Sequence, residues 1–171
     1  LVLILPNLLH LLGMVKRDPL QPKQSDTYLG FDFGNKKIGV AVGQTTTYMA
    51  SPLHTLRAIN QNPDWHAISQ LIKEWQPIGL VVGISKQYDG SDNAITPRML
   101  KFCRQLEGRF QLPVYQQDET LSTFESKQLL FDDVKLSATK LWEVEDQLAA
   151  HLILQTWLNN CTKNDPHTFK N

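Results

Sequence analysis

Four carboxylates stand where an ionised side chain is hard to place. Asp32 lies inside "YLGFDF", a stretch that otherwise reads as an apolar strand; Asp118 and Glu119 follow "LPVYQQ", at the exit of a predicted central strand. Asp146 belongs to a long helical pattern. At about 100° per residue it shares one narrow stripe with Trp142, Ala149, Ile153 and Trp157, so it is a charge on a packing face. An ionised carboxylate in apolar surroundings costs on the order of several kcal/mol unless something pairs with it. Acids far apart in sequence are tolerable together if they share divalent cations, since unshielded neighbours raise one another's pKa. With Mg2+ or Mn2+, hard ions that prefer oxygen, such a group becomes a phosphodiester-cleaving site. Two ions about 3.5–4 Å apart can then activate water and stabilise the leaving oxygen.

Plainer readings stand beside this one. Asp32 at a strand–turn junction can cap its own turn. Asp118 and Glu119 can be solvated loop acids, and Asp146 can pair with Lys140 on the helix surface. Acid spacing alone leaves both alternatives open.

The elements that must carry these residues are legible. "YLGFDF" alternates, with Leu29, Phe31 and Phe33 on one face and Tyr28, Gly30 and Asp32 on the other. "GNKK" supplies a turn and "IGVAV" a returning strand, which predicts a hairpin. A third strand around "YMASPLHTL" must accommodate Pro52 at an edge or a bulge. Pro63 and the spacing of Trp65, Ile68, Leu71, Ile72 and Trp75 predict an amphipathic helix ending at Pro77. "IGLVVGI" reads as a buried central strand. After the loop "SKQYDGSDNAI", Thr96-Pro97 reads as N-cap and first turn of a helix carrying Met99, Leu100, Cys103, Leu106 and Phe110. "LPVYQQDET" is the last strand, "STFE" offers Ser122 and Glu125 in capping-box register, and "KLWEVEDQLAAHLILQTWL" is a long helix. The succession predicts a three-layer α/β fold on a mixed sheet.

Composition narrows the class. With 171 residues the chain suits one domain, and 17 basic against 17 acidic residues give no global field for nucleic acid, though a local basic groove remains open. Of the two cysteines, Cys103 falls on an apolar helix face and Cys161 in the polar stretch 161–171, read as a tail. Neither has metal-ligand spacing, which points to a reducing, cytosolic setting, and the five scattered histidines speak against zinc. The apolar run at the start is too short to span a bilayer and lacks the flanks of a signal peptide. Residues 1–26 are therefore expected to be a disordered or artefactual extension. In that reading the native start is Met14, with a membrane-associating segment as the alternative.

"GFDFGNKKIGVAV", "LVVGIS", "YDGSD", "DETLST" and "EDQLAAHLILQ" occur in an order and spacing that resemble the YqgF/RuvX family, over roughly residues 28–158. These are bacterial cytosolic proteins with a ribonuclease-H-like fold, regarded as Holliday-junction resolvases and as pre-16S rRNA nucleases. The resemblance implies a ribonuclease-H-like domain over 27–160, with a mixed five-stranded sheet combining an antiparallel hairpin and parallel strands. It also implies metal-dependent cleavage of pre-16S rRNA near its 5′ end. Carried over by position, the family acids fall on Asp32, on Asp118 and Glu119, and on Asp146. Asp32, Glu119 and Asp146 are the preferred Mg2+ or Mn2+ ligands, with Asp118 the alternative to Glu119.

Three departures stand out. Gly43-Gln44 replaces the family Ser-Asp, Ser85 replaces a Pro, and Thr120 replaces an Arg able to hold a phosphate bidentately. Lys36, Lys37, Lys86 and Arg98 are candidates for a local positive rim, or ordinary surface cations. Ser122 and Thr123 read as helix caps. A sugar-kinase or actin-type ATPase would need a second domain and finds no room here. A Holliday-junction resolvase, expected as a homodimer, and a non-catalytic rRNA-binding module remain as alternatives to the rRNA nuclease.

Overall fold

The computed structural model describes residues 26–60, 62–119 and 138–163. Five strands, β1 (Thr27–Phe33), β2 (Lys37–Gln44), β3 (Met49–Arg57), β4 (Gly79–Ile84) and β5 (Val114–Asp118), form one sheet in the order β3-β2-β1-β4-β5. β1 to β3 are antiparallel neighbours, whereas β4 and β5 run parallel to β1. This is the expected ribonuclease-H-like mixed sheet. β5 lies at an edge, not at the centre as its sequence suggested. A five-residue strand with a mixed burial pattern does not disclose how many neighbours it has. Pro52 sits where the β2–β3 register shifts, on the opposite edge strand, so its missing N–H is tolerated.

The two faces of the sheet differ in side-chain size. Leu29, Phe31, Phe33, Ile38, Val40, Leu80, Val82 and Ile84 form the face covered by α1 (Trp65–Trp75) and α2 (Thr96–Phe110). These helices contribute Ile68, Leu71, Met99, Phe102, Cys103 and Leu106. Burying each large side chain there stabilises the fold by roughly 1.5–3 kcal/mol. The other face carries Gly30, Gly39, Ala41, Gly43, Gly79, Val81 and Gly83. Against it lies the long helix α3 (Ala138–Lys163), through Ala150, Ile153, Leu154 and Leu158. Small residues on the sheet let the α3 backbone approach closely: a Cβ on Gly30 would stand 2.7 Å from Leu154 Cβ.

Asp64 caps α1 by accepting the Ala67 N–H, and Gln76 closes it in the left-handed conformation, one residue before Pro77. α2 starts differently from expectation. Ile95 is its N-cap and Thr96 lies inside the helix, because the Thr96 hydroxyl is engaged elsewhere. It donates to the Ser85 carbonyl at 2.7 Å and accepts the Asn93 N–H at 2.9 Å, while Asn93 Oδ1 takes the N–H groups of Ile95 and Thr96. α3 continues to Lys163, so Cys161 lies in its last turn and not in a tail. Residues 1–25, 164–171 and the capping pair Ser122/Glu125 lie outside the described residues. Among the described helices none is long and apolar enough to cross a membrane.

Candidate active site

Asp32 is the penultimate residue of β1, on the α3 face, and half-buried. In the antiparallel ladder it pairs with Gly39. In the parallel ladder Phe31 pairs with Val82, which puts Gly83 on the other flank of Asp32. Adjacent strands lie about 4.8 Å apart, so the carboxylate rises between two residues with no side chain of their own.

The space over each glycine holds part of another acidic residue. A Cβ on Gly39 would overlap the backbone carbonyl of Asp146, the first residue of the row 146-150-154-158 by which α3 meets the sheet. A Cβ on Gly83 would overlap Oε1 of Glu119, and would also press on Ile153 Cδ1. Glu119 follows β5 directly, its N–H donating to the Ile84 carbonyl at 3.1 Å, and its Oε1 is buried. Asp32, Glu119 and Asp146 therefore come to one face and one end of the sheet, with Gly39 and Gly83 making room. Asp118 does not share that face. It pairs with Ile84, whose side chain belongs to the opposite core, and it is exposed.

Lys37 is the basic residue engaged at this site. Two positions before Gly39 on the same face of β2, its Nζ stands 3.4 Å from Asp146 Oδ2. The sequence offered Lys140 as a possible partner of Asp146; the Lys140 side chain lies outside the described set. Arg98, in the first turn of α2, hydrogen-bonds Asn35 Oδ1 through Nη1, and its guanidinium lies 5.8 Å from the centre of the Phe33 ring. It thus ties α2 to the β1–β2 turn carrying Lys36. Lys86 is the second residue of the loop after β4, and its backbone pairs with that of Asp92 in an isolated antiparallel bridge. The four basic residues therefore flank the same end of the sheet as the acids.

Oxygen-only donors at a half-buried position suit a hard divalent cation, and the glycine cradle leaves the carboxylates room. As placed, the acids share a face without converging on one point: among the described residues no three His, Cys, Asp or Glu side chains are grouped closely enough to hold an ion. Asp146 faces Lys37 instead, so ion binding at all three acids requires it to turn from that partner. The donor types fit a hard divalent cation.

Gly39 and Gly83 are the positions that sequence reasoning passed over. Glycine at alternate positions of apolar strands was the available signal, since it marks a close backbone approach. Two of the departures from the family pattern have local explanations. Gly43 faces Leu158 Cδ1 and Leu154 Cδ2, at 2.9 and 3.0 Å from where its Cβ would be. Ser85 accepts Asn93 Nδ2 on its hydroxyl at 3.1 Å and Thr96 on its carbonyl, and the hydroxyl contact has no counterpart in proline. Thr120, Ser122 and Thr123 lie outside the described residues.

Known proteins place the chain. A relative from Methylococcus capsulatus, named "Putative pre-16S rRNA nuclease", is 56% identical over 133 residues, covering 78% of this chain and 88% of the relative. One of the same name from Nitrosococcus oceani is 45% identical over 141 residues, covering 82% and 91%. Among solved structures, Thermus thermophilus RuvC aligns over 80% of this chain and 96% of its own, with a TM-score of 0.49 and 14% identity. The family profile RuvX, described as Holliday junction resolvase, matches residues 26–160. That span takes in every described strand and all three acids on the α3 face, and the chain belongs to the RuvX family.

Proposed function

We propose that this chain is a metal-dependent nuclease of the cytoplasm that hydrolyses phosphodiester bonds at the 5′ end of pre-16S rRNA. Asp32, Glu119 and Asp146 hold Mg2+ or Mn2+ in this reading. One observation carries it: Gly39 and Gly83 flank Asp32 and admit Asp146 and Glu119 to the same face. The family and the names of the curated relatives support the reaction class and the substrate. When bound, the ion supplies an activated water and stabilises the leaving oxygen.

The chain's own residues do the remaining work. Asp32 anchors the site on the strand least able to move, between β2 and β4. Glu119 and Asp146 close it from β5 and α3. Asp118 stays outside the ligand set, since strand alternation turns it away. Lys36, Lys86 and Arg98 hold backbone phosphates at the rim, and Lys37 joins them once Asp146 turns from it. These cations supply locally what a net charge of zero does not.

Purified protein incubated with labelled pre-16S leader RNA and Mg2+ or Mn2+ tests the reading. Cleavage is expected, abolished by EDTA and by Asp32→Asn. The family description favours a second reading, a Holliday-junction resolvase. Preferential cutting of a four-way DNA junction by a dimer would move the assignment there. RNA binding with no cleavage of either substrate would instead leave a binding module.

A further inference from the structure

Tyr88 is 92% exposed, the most exposed large apolar side chain among the described residues. It stands on a well-braced loop. Gln87 and Ser91 are joined by a 2.8 Å backbone hydrogen bond, Gly90 N–H donates to the Gln87 carbonyl at 2.9 Å, and Asp89 Oδ1 accepts from both the backbone and the hydroxyl of Ser91. Gly90 takes the positive φ of 82° that the tight turn requires. Lower down, the backbones of Lys86 and Asp92 pair in an antiparallel bridge, and the loop base is clamped by fully buried Thr96 through Ser85 and Asn93. A loop ordered this thoroughly by its own polar contacts has no packing use for an aromatic ring held in water.

The loop also starts next to the acids. Ser85 follows Ile84, and Gly83 flanks Asp32, so Tyr88 is tethered within roughly 17 Å of extended chain of the candidate cleavage site. Lys86 precedes it by two residues, and Arg98 and the Lys36 turn lie on the same rim. Single-stranded nucleic acid is held by this pairing of chemistries: cations track the backbone while exposed rings stack on bases of any sequence.

We propose that Tyr88 is a base-stacking residue, which seats an unpaired nucleobase of a single-stranded RNA substrate beside the cleavage site. The inference rests on the nuclease reading above and adds to it a determinant for unpaired substrate. Duplex ends and junction arms keep their bases stacked on each other and offer this ring nothing.

The test measures binding of fluorescein-labelled single-stranded leader RNA in EDTA, with cleavage in Mg2+ or Mn2+ run in parallel. Tyr88→Ala is expected to weaken binding about tenfold and Tyr88→Phe to retain it, with melting temperature unchanged in both. The salt dependence of binding should keep its slope in Tyr88→Ala, because no phosphate contact is lost. A 2-aminopurine near the cut site should be quenched by the wild type and brighten in Tyr88→Ala. If the wild type cleaves the leader and Tyr88→Ala binds and cleaves equally well, the inference falls and the nuclease reading stands. A loss seen only with a four-way DNA junction also overturns it. If the wild type neither binds nor cleaves RNA, both readings fall together.

Discussion

Gly39 and Asp146 meet backbone to backbone: the Asp146 carbonyl occupies the space that any side chain at position 39 would fill. One contact thereby sets the height of α3 above the sheet and the position of an acid. Gly39→Ala must push the helix away or distort β2. Overpacking of this kind costs roughly 1–3 kcal/mol. Urea denaturation should show that loss, and titration with Mn2+ should show weaker binding in the same variant. Wild-type stability in Gly39→Ala would mean the contact is not as close as described.

Gly83 tests the other flank. Gly83→Ala drives a methyl into Glu119 Oε1, whose carboxylate swings more easily than a helix backbone. The stability loss should therefore be smaller than for Gly39→Ala, and cleavage should fall at least about tenfold, a displacement of roughly 1 Å at a catalytic group being enough. Single-turnover rates beside melting curves separate the two effects.

Lys37 has two opposing roles in the proposed site. It neutralises Asp146 when no ion is present and competes with a divalent cation for the same oxygen. Lys37→Met should tighten Mn2+ binding, while lowering the stability of the ion-free protein by no more than about 1 kcal/mol, since the pair is partly exposed. The same variant should bind leader RNA less tightly, with a salt slope smaller by about one. Calorimetric titration of Mn2+ decides the first point: unchanged or weaker affinity would remove the competition.

His151 makes stability depend on pH. Burial is the main cause that lowers its pKa below the ordinary 6.5, with the Ala50 backbone pulling the other way. The unfolded chain therefore binds the proton more readily than the folded one, so stability is full above the ordinary value and declines as pH falls through it. Melting temperatures between pH 5 and 8 should show this slope, and His151→Gln should flatten it.

Cys103 should be chemically silent. Burial on the α2 core face pushes its thiol up to about 11, leaving almost no thiolate at neutral pH. Iodoacetamide at pH 8 should leave Cys103 unlabelled in the folded protein and label it in urea, as read by peptide mass. Labelling under native conditions would mean that α2 opens.

The hairpin, α1, β4 and the stripe of α3 were legible because each depends on local periodicity and turn chemistry. The edge position of β5 was not, since neighbours are assigned by tertiary packing and its five residues carry no mark of it. The choice between Asp118 and Glu119 turned on strand parity: one residue of register decides which side chain faces Gly83 and which faces the Ile84 core. Thr96 reads as a cap from composition alone, but its hydroxyl is claimed by Ser85, eleven residues earlier in the chain. The acids themselves were visible as charges in apolar patterns. The glycines that admit them to one face looked like ordinary strand interruptions.

Because the third acid comes with α3, the order of synthesis bears on when the site exists. β1 to β5 and the residue after them bring Asp32 and Glu119, but Asp146 reaches Gly39 only once α3 has been made and has settled on the glycine face. A nascent chain emerging through β5 would carry all five strands but lack the acid that α3 brings. In the proposed site the last oxygen donor would thus arrive with the docking of α3.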